Sequence, residues 1–330
     1  MLQISVAPVQ QWEDSQIVEV HNLSFKDHIS RYSQISGLRN ICADDVKDWR
    51  KMKFFDPKGL LKAETEEVVG YCFVKLDQVL NDKGEVFFGG YLKNMGDSCS
   101  LICVLPSWRR KSIGSALLEN TELFIRSKGL EFIVAWAYQS DVIAQEFLGK
   151  AGYKHHEKFF VREFSQVLPL NADVEFWKKD LTKSILPRDV GMSQGYSVRK
   201  HGRGDEANYA KVHNSVWGQY GQTIAPEDAE RVLSDPQRDQ ILFIETKGEV
   251  VGSAYFDLDG GVHLTGVIPE HRRKDVGTLL LAKTFECMQS RGYKAAYMST
   301  SVVLRGALAL HKKLQCTCVD KLLCIVKILA

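Results

Sequence analysis

Two short basic stretches of the chain are suited to holding an anion. Each has the pattern R-R-K-x-[IV]-G and lies between a stretch typical of a strand and one typical of a helix. The first N–H groups of a helix have no partner inside it, and the helix dipole is positive there, so phosphate is favoured. Gly114 and Gly277 allow close approach to the backbone. A pyrophosphate is the predicted ligand, although one such turn alone is equally compatible with a solvated basic turn.

The two stretches belong to an internal repeat. Both contain V-x-P-x-x-R-R-K-x-[IV]-G-[ST]-x-L-L, and Arg109 and Arg272 lie 163 positions apart, as do Gly114 and Gly277. A constant offset near half the length of 330 residues indicates a duplicated domain. The candidate binding residues are Val104, Arg109, Arg110, Lys111, Ser112, Ile113, Gly114 and Ser115 in the first copy, and Val267, Arg272, Arg273, Lys274, Asp275, Val276, Gly277 and Thr278 in the second.

The elements around these turns follow the same order in both halves. A pair of alternating strands precedes the strand that leads into the turn, and a helix, a strand, a second helix and a final strand follow. This alternation predicts a mixed α/β sheet in each half. We predict domains over residues 1–168 and 195–330. The stretch 169–194 has apolar residues at helical spacing and is predicted to be a linker helix, or alternatively the last helix of the first domain.

The repeated motif resembles the signature of the GNAT superfamily, [QR]-x-x-G-x-[GA] after a V-x-P strand end. The chain has Arg109-x-x-Ser112-x-Gly114 and Arg272-x-x-Asp275-x-Gly277. The resemblance covers nearly the whole chain and implies two tandem GNAT acyl-CoA N-acyltransferase folds, in a layout similar to double GNAT proteins of the mycothiol synthase type. It also implies acetyl-CoA, or another short acyl-CoA, as cosubstrate, with no metal.

Both copies depart from the signature at its first glycine. Ser112 is a mild change, because a hydroxyl can donate to a phosphate. Asp275 is a larger one, because a carboxylate repels a pyrophosphate, although Asp tolerates unusual turn conformations and its side chain can point away. The turn alone therefore favours the first copy as the acetyl-CoA site.

The resemblance also implies places for the groups that move protons. A base commonly stands on the central strand, where the second copy has His263 and the first has Ser100. A tyrosine acid commonly stands on the helix after the fifth strand, where the second copy has His311 and the first has Leu148. We therefore expect His263 and His311 to be catalytic, with the first half a structural partner still able to bind CoA. The alternative is that His263 is an ordinary polar residue on a half-exposed strand and that His311 is a surface residue on a solvated helix face.

The overall composition fits a soluble enzyme of ordinary type. Hydrophobic residues make up 45% and charged residues 25%, and the net charge of +2 gives no general attraction to nucleic acid or membrane. None of the eight cysteines forms a C-x-x-C pair, which favours reduced thiols in the cytoplasm. No apolar run approaches the ~20 residues of a membrane span, and no signal peptide is recognisable.

The sequence therefore predicts an acetyl-CoA-dependent N-acetyltransferase that acts on a small-molecule amine. It is expected to be a monomer, as an internal pseudo-dimer, or a homodimer. Two other functions stay open. One is an acyl-CoA-binding regulatory or scaffold protein without turnover, which the missing tyrosine and altered glycines favour. The other is a protein or peptide N-acetyltransferase.

Overall fold

The computed structural model describes residues 4–36, 39–51, 55–80, 86–92, 102–130, 132–159, 171–185, 195–218 and 223–329. The chain divides into two compact units. The first unit comprises Met1–Val174 and Asp320–Ala330, and the second comprises Glu175–Val319. The first unit therefore contains the last residues of the second half of the sequence, unlike the predicted division into 1–168 and 195–330.

Eight helices of more than one turn lie in the described residues. They are α1 (Asp14–Ser36), α2 (Ala43–Arg50), α3 (Ile113–Ser127), α4 (Val142–Lys150), α5 (Glu206–Trp217), α6 (Pro226–Leu233), α7 (Val276–Ser290) and α8 (Arg305–Lys313). None of the helices in this part of the chain is both long enough and apolar enough to cross a membrane.

The strands in the described residues alternate with these helices as a mixed α/β fold requires. They are β1 (Ser5–Pro8), β2 (Leu60–Glu64), β3 (Val68–Leu80), β4 (Val86–Leu92), β5 (Ile102–Val104), β6 (Phe132–Tyr138), β7 (Lys154–His155), β8 (Lys158–Phe159), β9 (Asn171–Ala172), β10 (Val174–Asp180), β11 (Ser197–Lys200), β12 (Arg238–Thr246), β13 (Glu249–Asp257), β14 (Val262–Val267), β15 (Ala295–Ser301) and β16 (Thr317–Ile328).

The sheet of the first unit opens at one point. β1, β2, β3 and β4 pair antiparallel in that order, and β4 then pairs in parallel with β6 at Ile133 and Val134. β5 continues from β4 but pairs with β3, whereas β6 pairs with β16 along its whole length. No pairing joins β5 to β6 among the described residues. A gap therefore opens between these two strands beyond Val134.

Helices cover both faces of this sheet. The apolar positions of α3, among them Leu117 and Ile125, pack with Leu148 of α4 against Ile133 and Ala135 of β6. All seven residues of β6 are buried, as its β-branched and aromatic sequence FIVAWAY favours. On the α1–α2 side, the Trp49 ring stacks on that of Phe73 with centroids 5.3 Å apart. The two sides hold the edges of the gap in place.

The second unit repeats this plan. β11, β12, β13 and β14 form an antiparallel sheet, and β10 and β15 are neighbours. β14 meets β15 at a single parallel bridge between Gly261 and Tyr297. Its central helix α7 buries Leu280, Phe285 and Met288 completely. The strand leading into the second basic turn thus also parts from its parallel neighbour.

The predicted linker helix over 169–194 is wrong where the structure describes that stretch. Val174–Asp180 is a strand that lies beside β15, and residues 186–194 lie outside the described residues. The neighbouring Phe176 and Trp177 are both buried, and Lys179 donates to the carbonyl of Leu314 at 2.8 Å. Adjacent strand residues point to opposite faces, so a strand covered on both sides buries both aromatic rings, which one helical stripe does not.

Candidate active site

The two basic turns have the same backbone conformation. Arg110 and Ser112 have φ values of 62° and 61°, and Arg273 and Asp275 have 62° and 56°. A positive φ is uncommon for residues other than glycine, and Asp is one of the few that adopt it with little strain. This explains why the second turn keeps its form with Asp275, where the related signature has glycine.

Both turns direct backbone N–H groups away from the rest of the backbone. Among the described residues, the N–H groups of residues 111–115 donate to no backbone carbonyl, and neither do those of residues 275–278. A Cβ atom on Gly114 would stand 3.3 Å from Phe147 and 3.9 Å from Val104. Glycine therefore allows the Phe147 ring of α4 to pack closely beside the first turn, and both turns retain the donors that the anion prediction requires.

The first arginine of each turn donates hydrogen bonds to backbone carbonyls. Arg109 donates from Nε to the Val104 carbonyl at 3.2 Å and from Nη2 to the Ser24 carbonyl at 2.9 Å. Arg272 donates from Nε to the Val267 carbonyl at 2.8 Å. These bonds fix the end of the strand that leads into each turn. The exposed Arg110 and Lys111, or Arg273 and Lys274, are then the cations nearest to an outside anion.

The surroundings of the two turns differ in charge. In the second unit, Lys313 of α8 donates to Asp275 at 2.6 Å. The Asp275 carboxylate therefore compensates one of the positive charges at this turn. The equivalent pair in the first unit is Lys150 and Ser112, and Lys150 makes no ion pair with any described residue. The first turn therefore keeps one more uncompensated positive charge for a phosphate.

A cavity of about 470 Å³ lies in the gap of the first unit. β5 contributes Ile102 and Val104 to its wall, and β6 contributes Trp136 and Tyr138. Residues of the basic turn, of α4 and of α1 complete the lining. The volume is within the ~300–1,000 Å³ usual for small-molecule sites. The first basic turn is thus one side of a cavity, as the predicted binding of a long nucleotide cosubstrate requires.

A histidine–aspartate pair lines the same cavity. His28 Nε2 on α1 lies 2.8 Å from Asp141 Oδ2, and Asp141 also accepts from the Ala144 N–H at 3.0 Å, which caps α4. Burial raises the pKa of Asp141, but the bonds from His28 and the Ala144 N–H outweigh it and leave the pKa below its usual value. Asp141 therefore stays ionised and orients the ring of His28.

Sequence reasoning missed this pair because its members are 113 residues apart. Asp141 has a local signal, since it precedes a helical stretch as N-cap residues do. His28 has none that distinguishes it from the other polar residues of α1. Only the crossing of α1 over the gap between β5 and β6 brings the two side chains together.

Ser24 of α1 is among the residues that line the cavity, but its hydroxyl is buried. Ser24 is 8% exposed, and its Oγ has no hydrogen-bond partner among the described residues. A buried hydroxyl without a partner is unfavourable, so Ser24 is a site of local instability beside the cavity.

Comparison with known proteins agrees with this geometry. The sequence profile of the acetyltransferase (GNAT) family matches residues 18–153 and 209–315, which is more than half of the chain and includes both basic turns. The chain belongs to the GNAT family. The prediction of a tandem GNAT protein with two mixed α/β halves is confirmed, and the expected N-acetyltransferase is confirmed at the level of the family.

Individual relatives are distant. A mycothiol acetyltransferase from Stackebrandtia nassauensis is 26% identical over 148 residues, which is 43% of this chain and 41% of that enzyme. A GCN5-related N-acetyltransferase from Sphaerobacter thermophilus has a TM-score of 0.62 at 15% identity, covering 99% of this chain and 96% of that one. A tandem GNAT protein from the clavulanic acid biosynthesis pathway has a TM-score of 0.64 at 13% identity, covering 99% of both chains. Such structural likeness shows the fold alone.

His263 lies on β14, the strand on which GNAT enzymes commonly carry a base. It is exposed, its Nε2 lies 2.7 Å from Asp257 Oδ2, and its ring stacks on Tyr255. Burial raises the pKa of Asp257, but the bond from His263 counters it and leaves the pKa below its usual value. The catalytic role of His263 stays a prediction. Ser100, at the matching place in the first copy, lies outside the described residues.

His311 lies on α8 at the place of the usual GNAT tyrosine, but it is buried. Its exposed fraction is 6%, its Nε2 lies 2.9 Å from Thr300 Oγ1, and its ring lies beside that of Trp177. The alternative of a solvated surface residue is therefore wrong. Burial lowers the pKa of His311 to about 4, so the ring is neutral near pH 7 and lacks the proton an imidazolium acid would give. Its catalytic role stays a prediction that this environment does not favour.

Proposed function

We propose that this chain transfers an acetyl group from acetyl-CoA to the amine of a small molecule, and that the reaction takes place in the first unit. GNAT enzymes take an acyl group from acyl-CoA and pass it to an amine, so the choice of acetyl group, amine and unit is our proposal. The observation that carries it is the cavity that joins the first basic turn to the His28–Asp141 pair.

The first turn has the groups that a CoA pyrophosphate needs. Its outward N–H groups lie at the start of α3, and the exposed Arg110 and Lys111 stand beside them. Lys150 lines the cavity and has no acidic partner among the described residues. Charge-assisted bonds of this kind contribute about 1.5–3 kcal/mol each. The phosphates would bind here, with the thioester arm running between β5 and β6.

His28 is the group we assign to proton transfer. Acetyl-CoA supplies an activated acyl group when it is bound. His28 takes a proton from the amine as the nitrogen bonds to the acetyl carbon, and returns it to the sulfur as the carbon–sulfur bond breaks. Asp141 holds the ring in one tautomer and stabilises its charged form, as an aspartate does behind other catalytic histidines. Leu148, in place of the usual tyrosine, makes such a substitute necessary.

The size of the cavity supports a small acceptor over a protein. A volume of about 470 Å³ has to hold the thioester arm as well as the acceptor. The oriented histidine supports turnover over mere binding, because a scaffold protein needs no proton-transfer group. None of the seven described cysteines forms a disulfide bond, which supports a reducing compartment such as the cytoplasm. We place the enzyme there, as a monomer or homodimer.

The test is release of CoA thiol from acetyl-CoA with a panel of small amines. We expect His28→Gln to lower kcat about 10²- to 10⁴-fold, the usual contribution of a general acid–base group. CoA affinity, measured by calorimetry, should change little. His263→Gln and His311→Gln are the competing variants. If they abolish turnover while His28→Gln does not, catalysis belongs to the second unit. If CoA binds and no amine releases thiol, the regulatory alternative is favoured.

A further inference from the structure

The turn that carries Asp141 is held by a residue from the far end of the chain. Asp320 lies at the point where β16 enters the first unit. Its Oδ2 accepts from the Ser140 hydroxyl at 2.5 Å, and its Oδ1 faces the Ser140 N–H at 3.3 Å. The same Oδ1 accepts from the Lys321 N–H at 2.8 Å, which fixes the carboxylate on its own strand. Asp320 therefore joins β16 to the residue directly before Asp141.

Backbone bonds carry this connection along β16. Leu322 pairs with Tyr138 in the antiparallel register of β16 and β6. One residue beyond the end of β6, the Gln139 N–H donates to the Lys321 carbonyl at 2.7 Å. The pairing thus extends past β6 into the turn, and Asp320 is the last attachment before α4 begins. Without β16, the 139–141 turn would have an unpaired strand edge on that side.

Asp141 is sensitive to the position of this turn. Its carboxylate must reach both the Ala144 N–H at 3.0 Å and His28 Nε2 at 2.8 Å. The first bond begins α4 and the second orients His28. A hydrogen bond tolerates only a few tenths of an ångström, so a loose turn would lose one bond or both.

We propose that Asp320 is a positioning residue for the His28–Asp141 pair, so that the second half of the chain completes the active site of the first unit. The proposal rests on the function proposed above for its effect on catalysis. Its effect on the turn is independent of that function.

The test compares Asp320→Ala with Asp320→Asn in the full chain. Amide hydrogen exchange of the segment 139–150, CoA affinity and kcat are measured for each. We expect Asp320→Ala to speed exchange at the start of α4 and to lower kcat about 10-fold, because small misplacements of a catalytic group are costly. CoA affinity should stay within about threefold, because the phosphate turn is elsewhere. Asp320→Asn keeps an oxygen that can accept from Ser140 and should restore much of both.

Asp180→Ala is the matched control. Asp180 Oδ1 accepts from the Thr182 hydroxyl at 2.6 Å and from its N–H at 2.9 Å, so the same kinds of bond are removed from a turn in the second unit. This variant should change neither exchange of 139–150 nor kcat. Unchanged exchange in Asp320→Ala overturns the proposal. So does faster exchange with an unchanged kcat, provided that His28→Gln lowers kcat. If His28→Gln has no effect, it is the proposed function that fails.

Discussion

The two basic turns share a backbone and differ in the charges around it. In both, two residues other than glycine have left-handed φ values, and the first arginine donates from Nε to the end of the preceding strand. Ser112 of the first turn is exposed, whereas Asp275 of the second is bonded to Lys313. The duplicated scaffold thus provides the predicted anion-binding turn twice, and we expect a single carboxylate to decide how strongly each turn attracts a phosphate.

The helix that follows the fifth strand of each copy shows a second difference. Asp141 caps α4 and holds His28, whereas Leu304 stands at the N-cap of α8 and makes no side-chain cap bond. Two residues after the middle of each helix, Leu148 in the first copy is matched by the buried His311 in the second. In the first copy, the titratable groups His28 and Asp141 line the cavity. In the second copy, His311 is buried. Local chemistry, and not the fold, separates the two units.

Exchanging the residues at the two turns should break the comparison most clearly. We expect Ser112→Asp to lower CoA affinity about 10- to 100-fold, because the new carboxylate repels phosphate and can pair with Lys150. The fold should persist, because Asp275 already occupies the same conformation with a φ of 56°. Calorimetry with CoA measures the effect.

Asp275→Ser is the reciprocal variant. It removes the partner of Lys313 and should make the second turn more attractive to CoA, adding a second, weaker binding event. If Ser112→Asp leaves CoA affinity unchanged and changes at the second turn remove it, the second unit is the CoA site. The sequence expectation of catalysis by His263 and His311 would then regain its basis.

Local patterns were sufficient to predict the turns and the fold. A basic, glycine-containing turn between a strand and a helix depends on neighbouring residues, and its repetition at a constant offset indicated two copies. The His28–Asp141 pair could not be predicted, because it depends on how α1 crosses the gap 113 residues away in sequence. The burial of His311 could not be predicted either, because β10 supplies the Trp177 ring beside it.

The linker prediction failed for a related reason. The residues Val174 to Ile185 have apolar positions compatible with a helical stripe, but the aromatic residues also suit a strand. The edge of β15 was available for pairing, and this favoured a strand over a helix for these residues. A sequence pattern does not reveal such an available strand edge. The place of β16 beside β6 is equally invisible in the sequence of β16, which predicts a strand but not its partner.

Removing the Ser24 hydroxyl should sharpen the contrast between the units. The second copy has Val216 at the same distance from its first strand, and it has no hydroxyl there. We expect Ser24→Ala to raise the free energy of unfolding by about 1 kcal/mol, because a buried hydroxyl without a partner is destabilising. At the same time kcat/KM should change little, because the Ser24 hydroxyl is buried and has no surface open to the cavity. Urea unfolding and thiol release measure the two effects.

A partnered hydroxyl supplies the control for Ser24. Thr284 is completely buried in α7 and donates to the Leu280 carbonyl at 2.9 Å. Thr284→Val should lower stability, in contrast to Ser24→Ala. A loss of stability in both variants would mean that a bound water already satisfies the Ser24 hydroxyl, and the inference that this hydroxyl is without a partner would be wrong.

The smallest expected effect concerns how the free energy of unfolding depends on pH. It distinguishes the buried His311 from its counterpart Leu148, which does not titrate. Burial lowers the pKa of His311 from 6.5 to about 4, so the unfolded chain binds the proton first as pH falls. The contribution of His311 to stability is therefore lost between pH 6.5 and pH 4 and does not change further below that. From pH 7 to pH 5.5 this amounts to about 1 kcal/mol.

His311→Leu should be less stable than the unchanged chain at pH 7, because Thr300 loses its partner, but its urea midpoint should fall less between these two pH values. His21 in the first unit has a pKa lowered to about 4 by burial as well, so His21→Leu should remove a similar share. If His311→Leu keeps the full pH dependence, the pKa of His311 is not lowered by folding, so the ring can take up a proton near neutral pH and His311 becomes a candidate acid for the second unit.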